Sequence, residues 1–373
     1  MIPFCKPSIT ELENKYILAA ANDRICGDGP FTEKATSLLK EKLELNNLLL
    51  TTSCTHALEL AAMLCDLEPE DEVILPSFTF ASTANAFMLT GAKLKFCDIE
   101  PLTLNADPSY IESLVTSKTR VLSPIDYAGI SCDINSIAAI ASKYNLKIVQ
   151  DSAQSVGSRY MDRAVGSDAD FACFSFHETK NYVMGEGGAI AIKDTSLLDR
   201  CEIIREKGTD RSRFYRGEVD KYTWHSVGSS YLPSDVLAAM LYGQLERFDE
   251  IMLKRLKIYD FYYEAFASLE KAGKLKRPFI PDYATHNAHI FYILLNSEIE
   301  RDALLSFLRS KGVGAVFHYV PLHLGKMGLD MGYTKGSLPI TEDLSLRLLR
   351  IPLFYDLTDQ EMEYIVASVE EFF

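Results

Sequence analysis

The chain has 373 residues, of which 47% are apolar and 24% are charged, and this balance predicts a packed globular protein large enough for two domains. Its formal charge of −14 argues against a surface that binds nucleic acid or an anionic membrane. No apolar run reaches the roughly 20 residues of a membrane helix, and the N-terminus lacks the apolar core of a signal peptide, so we expect a cytoplasmic protein.

The eight cysteines are scattered along the chain, without a Cys-x-x-Cys pair and without a histidine at metal-binding spacing. Several of them lie in apolar, strand-like or helical contexts. We therefore expect reduced and mostly buried thiols, and no metal site.

Two helices and a glycine-rich turn are predicted near the N-terminus. The first helix covers residues 8–22, and the second covers 32–43. The turn between them contains Gly27 and Gly29. Two glycines this close indicate either a loop between helices or a backbone that approaches a ligand.

A phosphate site is one interpretation of the next segment. The apolar run Leu48–Leu50 predicts a strand, and a helix follows through Leu64. Between them lie Ser53 and Thr55, at the start of a helix, where N–H groups and the positive end of the dipole favour a phosphate. Ordinary N-capping by the same side chains is the alternative.

Strand-like and helix-like patterns then alternate, which predicts an α/β fold with a mostly parallel sheet and helices on both faces. Ligands of such sheets lie at the carboxyl ends of the strands. Pro76–Phe80 falls at one such end, where Phe80 is suited either to stacking on a flat ring or to core packing. The predicted strands are 72–75, 93–97, 120–122 and 147–150, and the predicted helices are 80–90, 108–115 and 133–144.

The second half of the chain completes a large unit, 1–232, and adds a smaller α+β domain within 233–373. Residues 208–232 are predicted as an irregular loop, and a loop this long is usually functional or lies between subunits. A helical region over 233–269 is expected to bridge the two units. The other predicted elements are strands 189–192, 287–295 and 313–318 and helices 197–207, 300–311, 342–349 and 358–372.

An acid and a lysine follow two of the apolar runs. Asp151 ends the run Leu146–Gln150, and Lys180 follows the run Asp170–Phe174 and precedes a glycine-rich turn. Pyridoxal phosphate chemistry requires such a pair, because a lysine holds the aldehyde covalently and a carboxylate keeps the ring nitrogen protonated. Two solvated surface residues are the alternative, but the neighbours of Lys180 are mainly aromatic residues and glycines.

With these residues assembled, the chain resembles the sugar aminotransferases of the DegT/DnrJ/EryC1 family over essentially its full length. The resemblance implies the aspartate-aminotransferase-like fold, known as fold type I, and pyridoxal 5′-phosphate as cofactor. The motifs that carry it are Phe174–His177 with Lys180-Asn181, Gly185–Gly188, Asp151–Gln154, Pro76–Phe80 and His318–His323.

Carried over by position, the resemblance implies that Lys180 holds the cofactor and that Asp151 pairs with its pyridine nitrogen. Gln154 would lie against the ring or its 3-hydroxyl, and Phe80 would stack on the ring face. The phosphate would be held by Ser53, Cys54, Thr55 and Ser175. The residues expected at the substrate are Gly29, His177, Arg211, His318, Tyr319 and His323. For His177 a structural role is an equal alternative, and for Arg211 a solvated basic loop.

One departure concerns the contact between subunits. The family adds an asparagine from the neighbouring subunit in a Gly-x-Asn-aromatic-Arg segment, whereas this chain has Gly228-Ser229-Ser230-Tyr231-Leu232. Ser230 is the residue left to donate a hydrogen bond to the phosphate. The resemblance also implies a homodimer.

Within the family, Phe174–Asn181, Arg205–Thr209 and Gly228–Leu232 are most similar to the members that transfer the amino group of L-glutamate to the 4-keto carbon of dTDP-4-keto-6-deoxy-D-glucose, giving the 4-amino galacto sugar. The same chemistry on another nucleotide-linked keto sugar is the alternative, with a gluco epimer or a 3-keto sugar. A sugar dehydratase of the family would carry His in place of Lys180. A Rossmann nucleotide-binding module would need a Gly-x-Gly-x-x-Gly turn, which the first strand–helix junction lacks.

Overall fold

The computed structural model describes residues 1–373, and twelve strands and fifteen α-helices organise them. The strands are β1 Leu48–Thr51, β2 Glu72–Pro76, β3 Lys93–Cys97, β4 Thr119–Leu122, β5 Lys147–Asp151, β6 Arg159–Tyr160, β7 Arg163–Ala164, β8 Phe171–Ser175, β9 Gly188–Ile192, β10 Ala284–Thr285, β11 Phe291–Leu294 and β12 Leu348–Ile351.

The helices connect these strands and cover the faces of the main sheet. They are α1 Glu11–Asp23, α2 Pro30–Leu43, α3 Cys54–Leu64, α4 Ala81–Met88, α5 Pro108–Leu114, α6 Ile134–Tyr144, α7 Leu198–Arg205, α8 Arg211–Tyr215, α9 Asp235–Glu246, α10 Phe248–Ala265, α11 Ala267–Lys271, α12 Glu298–Ser310, α13 Lys326–Asp330, α14 Pro339–Arg347 and α15 Asp359–Phe372.

The central sheet has seven strands in the order β1-β9-β8-β5-β4-β2-β3. Strands β3, β2, β4, β5 and β8 are parallel, whereas β9 runs antiparallel to both of its neighbours, β8 and β1. Strand β1 therefore points the same way as the parallel set. The carboxyl ends of β1, β2, β5 and β8 meet at one edge of the sheet, as the alternating pattern predicted.

Helix α1 is capped by Thr10, within the range 8–22 that was predicted for it. The Thr10 hydroxyl accepts from the Leu12 N–H at 3.2 Å, and the Thr10 N–H donates to Glu13 Oε2 at 2.7 Å, which forms a capping box. Glu13 is buried and also accepts from Gln244 Nε2 at 2.7 Å, so α1 is attached to α9.

The C-terminal part has its own apolar core, in which α10, α12 and α15 surround the two-stranded sheet of β11 and β12. Ile2, from the start of the chain, joins this core and pairs with Val313. Helix α9 packs instead in the core of the N-terminal part, beside α1 and α2. The division of the chain after residue 232 stays a prediction.

Several predicted boundaries are wrong in the C-terminal part. The strand expected over 313–318 is reduced to two isolated bridges, Ile2 with Val313 and Val316 with Arg350. The helix expected over 342–349 ends at Arg347, and strand β12 follows it. The long helical region over 233–269 is three helices with breaks at Arg247 and Phe266.

All eight cysteine thiols are free, and five of them are buried. No α-helix of the structure combines the length and the apolar character that crossing a lipid bilayer requires.

Candidate active site

A cleft of about 500 Å³ opens at the carboxyl edge of the central sheet. The ends of β5 and β8 and the start of α3 line one side, and segments of the C-terminal part line the other. This volume is within the range of cofactor and small-molecule sites. The predicted site residues that line the cleft are Ser53, Cys54, Thr55, Phe80, Asp151, Gln154, Ser175, His177, Lys180, His318 and Tyr319.

Asp151 ends β5 with only 8% of its surface exposed. Its Oδ2 accepts a hydrogen bond from Thr83 Oγ1 at 2.6 Å, and its Oδ1 accepts from the Ala153 N–H at 3.1 Å. Burial raises the pKa of this carboxyl group, and the two hydrogen bonds and the Lys180 charge oppose that shift. A cation placed against Asp151 from the cleft would therefore favour the ionised carboxylate further.

Lys180 lies just beyond β8, in a turn closed by its own N–H, which donates to the His177 carbonyl at 2.9 Å. Its side chain is partly exposed to the cleft and makes no hydrogen bond or ion pair within the chain. Burial lowers the pKa of this amine, while Cys54 and Asp151 act in the opposite direction. A lowered pKa increases the fraction of neutral, nucleophilic amine.

The start of α3 has the properties of an anion site. Ser53 caps the helix, since its Oγ accepts from the His56 N–H at 3.1 Å. The N–H groups of Cys54 and Thr55 have no acceptor in the chain. Gly188 of β9 lies so close that a Cβ there would collide with the backbone of Ser53 and Cys54. Free N–H groups at the positive end of a helix dipole favour a phosphate.

Aromatic and amide groups border the middle of the cleft. Gln154 is held at both ends of its amide, because Oε1 accepts from the Ala128 N–H at 2.7 Å and Nε2 donates to the Tyr319 hydroxyl at 3.0 Å. The Phe80 ring is 62% exposed, so it offers a free face for a flat ligand. His318 Nδ1 lies 3.0 Å from the Tyr127 hydroxyl.

His177 is partly exposed at the cleft. Its Nδ1 lies 3.0 Å from Thr179 Oγ1, and its Nε2 lies 3.7 Å from Glu186 Oε1. The ring is thus oriented by its own turn and still reaches the cleft. Both interpretations of His177, as a structural residue and as a ligand contact, remain compatible with this position.

Three expected residues lie outside the cleft of their own chain. Arg211 and Ser230 line a separate pocket of about 280 Å³, and Arg211 is ion-paired with Glu206 at 2.9 Å. The carboxylate of Asp235 occupies the space beside Gly29. A single chain does not bring these three residues to the cleft.

The expectation that His323 contacts the substrate is wrong for this structure, because its side chain has no exposed surface. Its Nδ1 lies 2.7 Å from Ser77 Oγ, and its Nε2 lies 3.0 Å from Glu342 Oε1. The chain of Ser, His and Glu resembles a hydrolase triad, but Ser77 is also fully buried. The hydrogen bonds of His323 to Ser77 and Glu342 instead connect the loop after β2 to the first turn of α14.

Two basic residues that the sequence analysis did not single out also line the cleft. His289 Nδ1 lies 3.0 Å from Asn181 Oδ1, and burial lowers the pKa of His289 well below its ordinary value. Arg350 reaches the cleft from β12. The one signal for Arg350 was a charge inside the apolar run Leu348–Ile351, and the prediction had placed only the first half of this run in a helix.

Comparison with known proteins gives relatives over almost the whole length. The "pleiotropic regulatory protein" of Geobacillus stearothermophilus is 32% identical over 324 residues, which cover 86% of this chain and 83% of the relative. The spore coat polysaccharide biosynthesis protein SpsC of Bacillus subtilis is 28% identical over 378 residues, covering 99% and 96%.

Solved structures confirm the expected fold. The aminotransferase TlmJ from Streptoalloteichus hindustanus matches with a TM-score of 0.90 and 28% identity, covering 100% of this chain and 98% of TlmJ. The proposed sugar aminotransferase Spr1654 from Streptococcus pneumoniae, in its PMP form, matches with a TM-score of 0.93 and 25% identity, covering 100% and 99%. The model of the DegT/DnrJ/EryC1/StrS aminotransferase family matches residues 7–370, and the chain belongs to this family.

Proposed function

We propose that Lys180 carries pyridoxal 5′-phosphate in the cleft, with Asp151 against the ring nitrogen and the phosphate at the start of α3. The observation that carries this proposal is the shared cleft: an unpaired amine, a buried carboxylate and free helix N–H groups all open into it. The residues present suit each part of the cofactor. The exposed face of Phe80 and the Gln154 amide provide the remaining contacts to its ring and 3-hydroxyl.

When bound, pyridoxal phosphate supplies an electron sink that stabilises a carbanion next to the transferred nitrogen. Lys180 takes the proton from the donor carbon and later delivers a proton to the acceptor carbon. Its position in the cleft supports this role, because desolvation there lowers the pKa of its amine and so increases the fraction that can accept a proton. Asp151, positioned by Thr83 and the Ala153 N–H, keeps the ring nitrogen protonated.

The proposed reaction transfers the amino group of L-glutamate to the 4-keto carbon of dTDP-4-keto-6-deoxy-D-glucose. The products are dTDP-4-amino-4,6-dideoxy-D-galactose and 2-oxoglutarate. The similarity of Phe174–Asn181 and Gly228–Leu232 to that subgroup supports this choice. Family membership supports a sugar substrate more broadly, and the printed name of SpsC places that relative in polysaccharide biosynthesis.

We also propose that the enzyme acts as a homodimer in which residues 208–232 meet the partner subunit. Several aromatic side chains of this segment are exposed, above all Trp224 at 78%. In such a dimer Ser230 and Arg211, which lie outside the cleft of their own chain, would be available to the cleft of the other. Ser230 would then donate to the phosphate, and Arg211 would contact the diphosphate of the sugar nucleotide.

The test is to incubate the purified enzyme with dTDP-4-keto-6-deoxyglucose and L-glutamate and to examine the product by NMR. An axial 4-amino group gives a small H3–H4 coupling, which is the expected result. Lys180→Ala is the matched control, and it should yield no amino sugar because both cofactor attachment and proton transfer are lost.

Other outcomes would redirect the assignment. A large H3–H4 coupling would identify the gluco epimer as product. A 3-keto sugar accepted in preference would move the amination to C3. A deoxygenated product without nitrogen would point to a dehydratase.

A further inference from the structure

Arg350 has an unpaired guanidinium. Its side chain makes no hydrogen bond and no ion pair in the chain, and its Nε is fully enclosed without a partner. Every other arginine has a side-chain hydrogen bond or an ion pair, with the single exception of the exposed Arg309. Arg350 is partly buried. Because withdrawing a charge from water without a partner is costly, this arrangement indicates an anion that is not part of the chain.

The structure fixes where this guanidinium lies. The Arg350 backbone is anchored by its N–H, which donates to the Val316 carbonyl at 2.8 Å. The Phe4 ring lies against the guanidinium, 4.6 Å from its central carbon. A cation–π contact of this kind orients the side chain without neutralising its charge. Arg350 is thus held in place on the cleft wall with its donors free.

The groups around Arg350 offer no counter-charge. The groups that its charge influences include His318, the phenols of Tyr127 and Tyr319 and the Cys5 thiol, and burial raises the pKa of both phenols and of the thiol. Burial, and then the Arg350 charge, lower the pKa of His318 well below its ordinary value, so this imidazole is neutral. Asp151, which faces Lys180, makes its hydrogen bonds to Thr83 and Ala153 instead.

We propose that Arg350 binds the α-carboxylate of the amino donor, L-glutamate, through a bidentate ion pair. This inference rests on the proposed function and names the group that holds its first substrate. A guanidinium presents two parallel donors that match the two oxygens of a carboxylate. The α-carboxylate is bonded to the carbon whose proton Lys180 takes, and the Arg350 charge acts directly on Lys180.

The diphosphate of the sugar nucleotide fits this position less well. Its phosphorus atoms are separated from the reacting C4 by the sugar ring and the anomeric oxygen, so they lie farther from the reacting carbon than the α-carboxylate of an amino acid does. The cofactor phosphate is provided for at α3, where the N–H groups of Cys54 and Thr55 have no acceptor in the chain. A carboxylate next to the reacting carbon is the anion that remains.

The experiment compares Arg350→Gln and Arg350→Lys with Arg309→Gln, the exposed and equally unpaired control. The first readout is the glutamate half-reaction without sugar, in which the visible absorbance of the bound cofactor decays at increasing L-glutamate concentration. The second readout is binding of glutarate, an unreactive dicarboxylate, by calorimetry. The third is the KM of each variant for the keto sugar nucleotide.

We expect Arg350→Gln to raise the glutamate concentration at half-maximal rate by about 10- to 100-fold, because a hydrogen-bonded charge is lost. Arg350→Lys should raise this concentration by a smaller factor, because lysine keeps the positive charge but lacks the two parallel donors of the guanidinium. Glutarate binding should weaken in parallel. The KM for the sugar nucleotide should stay within about twofold, and Arg309→Gln should behave as the wild type.

A normal glutamate dependence in Arg350→Gln would overturn the proposal. A rise in the KM for the sugar nucleotide alone would overturn it as well, by assigning Arg350 to the second substrate. If Arg350→Gln does not fold, as judged by circular dichroism, Arg350→Lys is compared with the wild type in the same three measurements. Wild-type protein that takes up no pyridoxal phosphate would defeat the proposed function, whereas the glutarate titration would still decide whether Arg350 binds a carboxylate.

Discussion

Thr83 Oγ1 donates a hydrogen bond of 2.6 Å to one oxygen of the Asp151 carboxylate, and both side chains are buried. Thr83→Val keeps the shape of the side chain and removes the donor. We expect the dissociation constant for pyridoxal phosphate to rise by about 10-fold or more, because a hydrogen bond to a charged group contributes about 1.5–3 kcal/mol. Titration of the apoprotein with the cofactor, followed by absorbance, measures the change.

Thr83→Ser is the matched control, because it retains the hydroxyl group and should bind the cofactor nearly as the wild type does. Equal affinities of Thr83→Val and wild type would show that the N–H of Ala153 is sufficient to hold Asp151.

A second prediction at the residue scale concerns acid stability and His286. Its Nδ1 accepts from the Ala288 N–H at 3.1 Å, and burial lowers the pKa of His286 to about 4. In the unfolded chain the pKa of His286 is near 6.5, so as the pH falls His286 is protonated in the unfolded state before it is protonated in the folded state. The contribution of neutral His286 to the free energy of unfolding is fully present above pH 6.5 and is lost between pH 6.5 and 4. Between pH 7.5 and pH 5 this loss amounts to about 2 kcal/mol.

Urea unfolding of the wild type and of His286→Gln at pH 7.5 and pH 5 measures this contribution. The free energy of unfolding should fall less in the variant, by about 2 kcal/mol, because the other titrating groups are common to both proteins. Equal losses in the two proteins would mean that His286 titrates normally in the folded state.

At the scale of elements, the junction of β9 and α3 decides the shape of the phosphate site. A Cβ on Gly188 would collide with the backbone of Ser53 and Cys54, which no rotamer change can relieve. We expect Gly188→Ala to move the start of α3, to destabilise the protein by about 1–3 kcal/mol and to weaken cofactor binding. Thermal unfolding of the apoprotein and cofactor titration report the two effects separately.

Gly273→Ala is the control for this change. Gly273 has a positive φ of 70° and no atoms nearby that an added Cβ would meet, so the substitution adds backbone strain without a collision. It should lower stability by about 1 kcal/mol and leave cofactor affinity unchanged. Unaltered cofactor affinity in Gly188→Ala would show that the close approach of β9 does not shape the site.

The predicted elements were most accurate where local pattern and packing agree. The runs that form β1, β2, β3 and β5 are short, apolar and separated by helix-length segments, so period and length identify them. The C-terminal part was less predictable, because its pairing depends on distant residues. Val313 pairs with Ile2, and Val316 pairs with Arg350, across separations that no local window contains.

The same difference explains the outcome at the site. Asp151 and Lys180 were predictable because both follow predicted strands, and parallel strands bring their carboxyl ends to one edge of the sheet. Ser175 was expected from the family resemblance alone. Arg350 was missed because the helix predicted over 342–349 ended one residue before it, and the strand β12 that contains it was not predicted. His323 belonged to a recognised motif, but only the packing of Ser77 and Glu342 around it shows that the ring is enclosed.

At the scale of the whole molecule, the family assignment confirms the expected pyridoxal-phosphate-dependent sugar aminotransferase. The chain binds anionic ligands in spite of its net charge of −14, so its cations must be concentrated locally. The cleft shows this arrangement: Lys180 and Arg350 are its only lysine and arginine, and neither is paired within the chain. Because a net negative charge does not attract anions at long range, we expect contacts at short range to hold the cofactor phosphate.

The last prediction concerns assembly. Trp224 is 78% exposed and lies in the segment 208–232, among other exposed aromatic side chains. Apolar area of this kind is normally covered in the functional assembly. We expect Trp224→Glu to shift the protein from dimer to monomer, measured by light scattering with size-exclusion chromatography. Cofactor affinity should fall in parallel if Ser230 of each subunit serves the cleft of the other.

Ile299→Glu is the matched control, because Ile299 on α12 is equally exposed, at 83%, and lies outside this segment. A charge placed there should leave both the assembly and the cofactor affinity unchanged. A wild-type protein that is monomeric at micromolar concentration would contradict the proposed dimer directly. A Trp224→Glu monomer with normal cofactor affinity would keep the dimer but exclude Ser230 from the phosphate site, and α3 would then bind the phosphate without help from the partner.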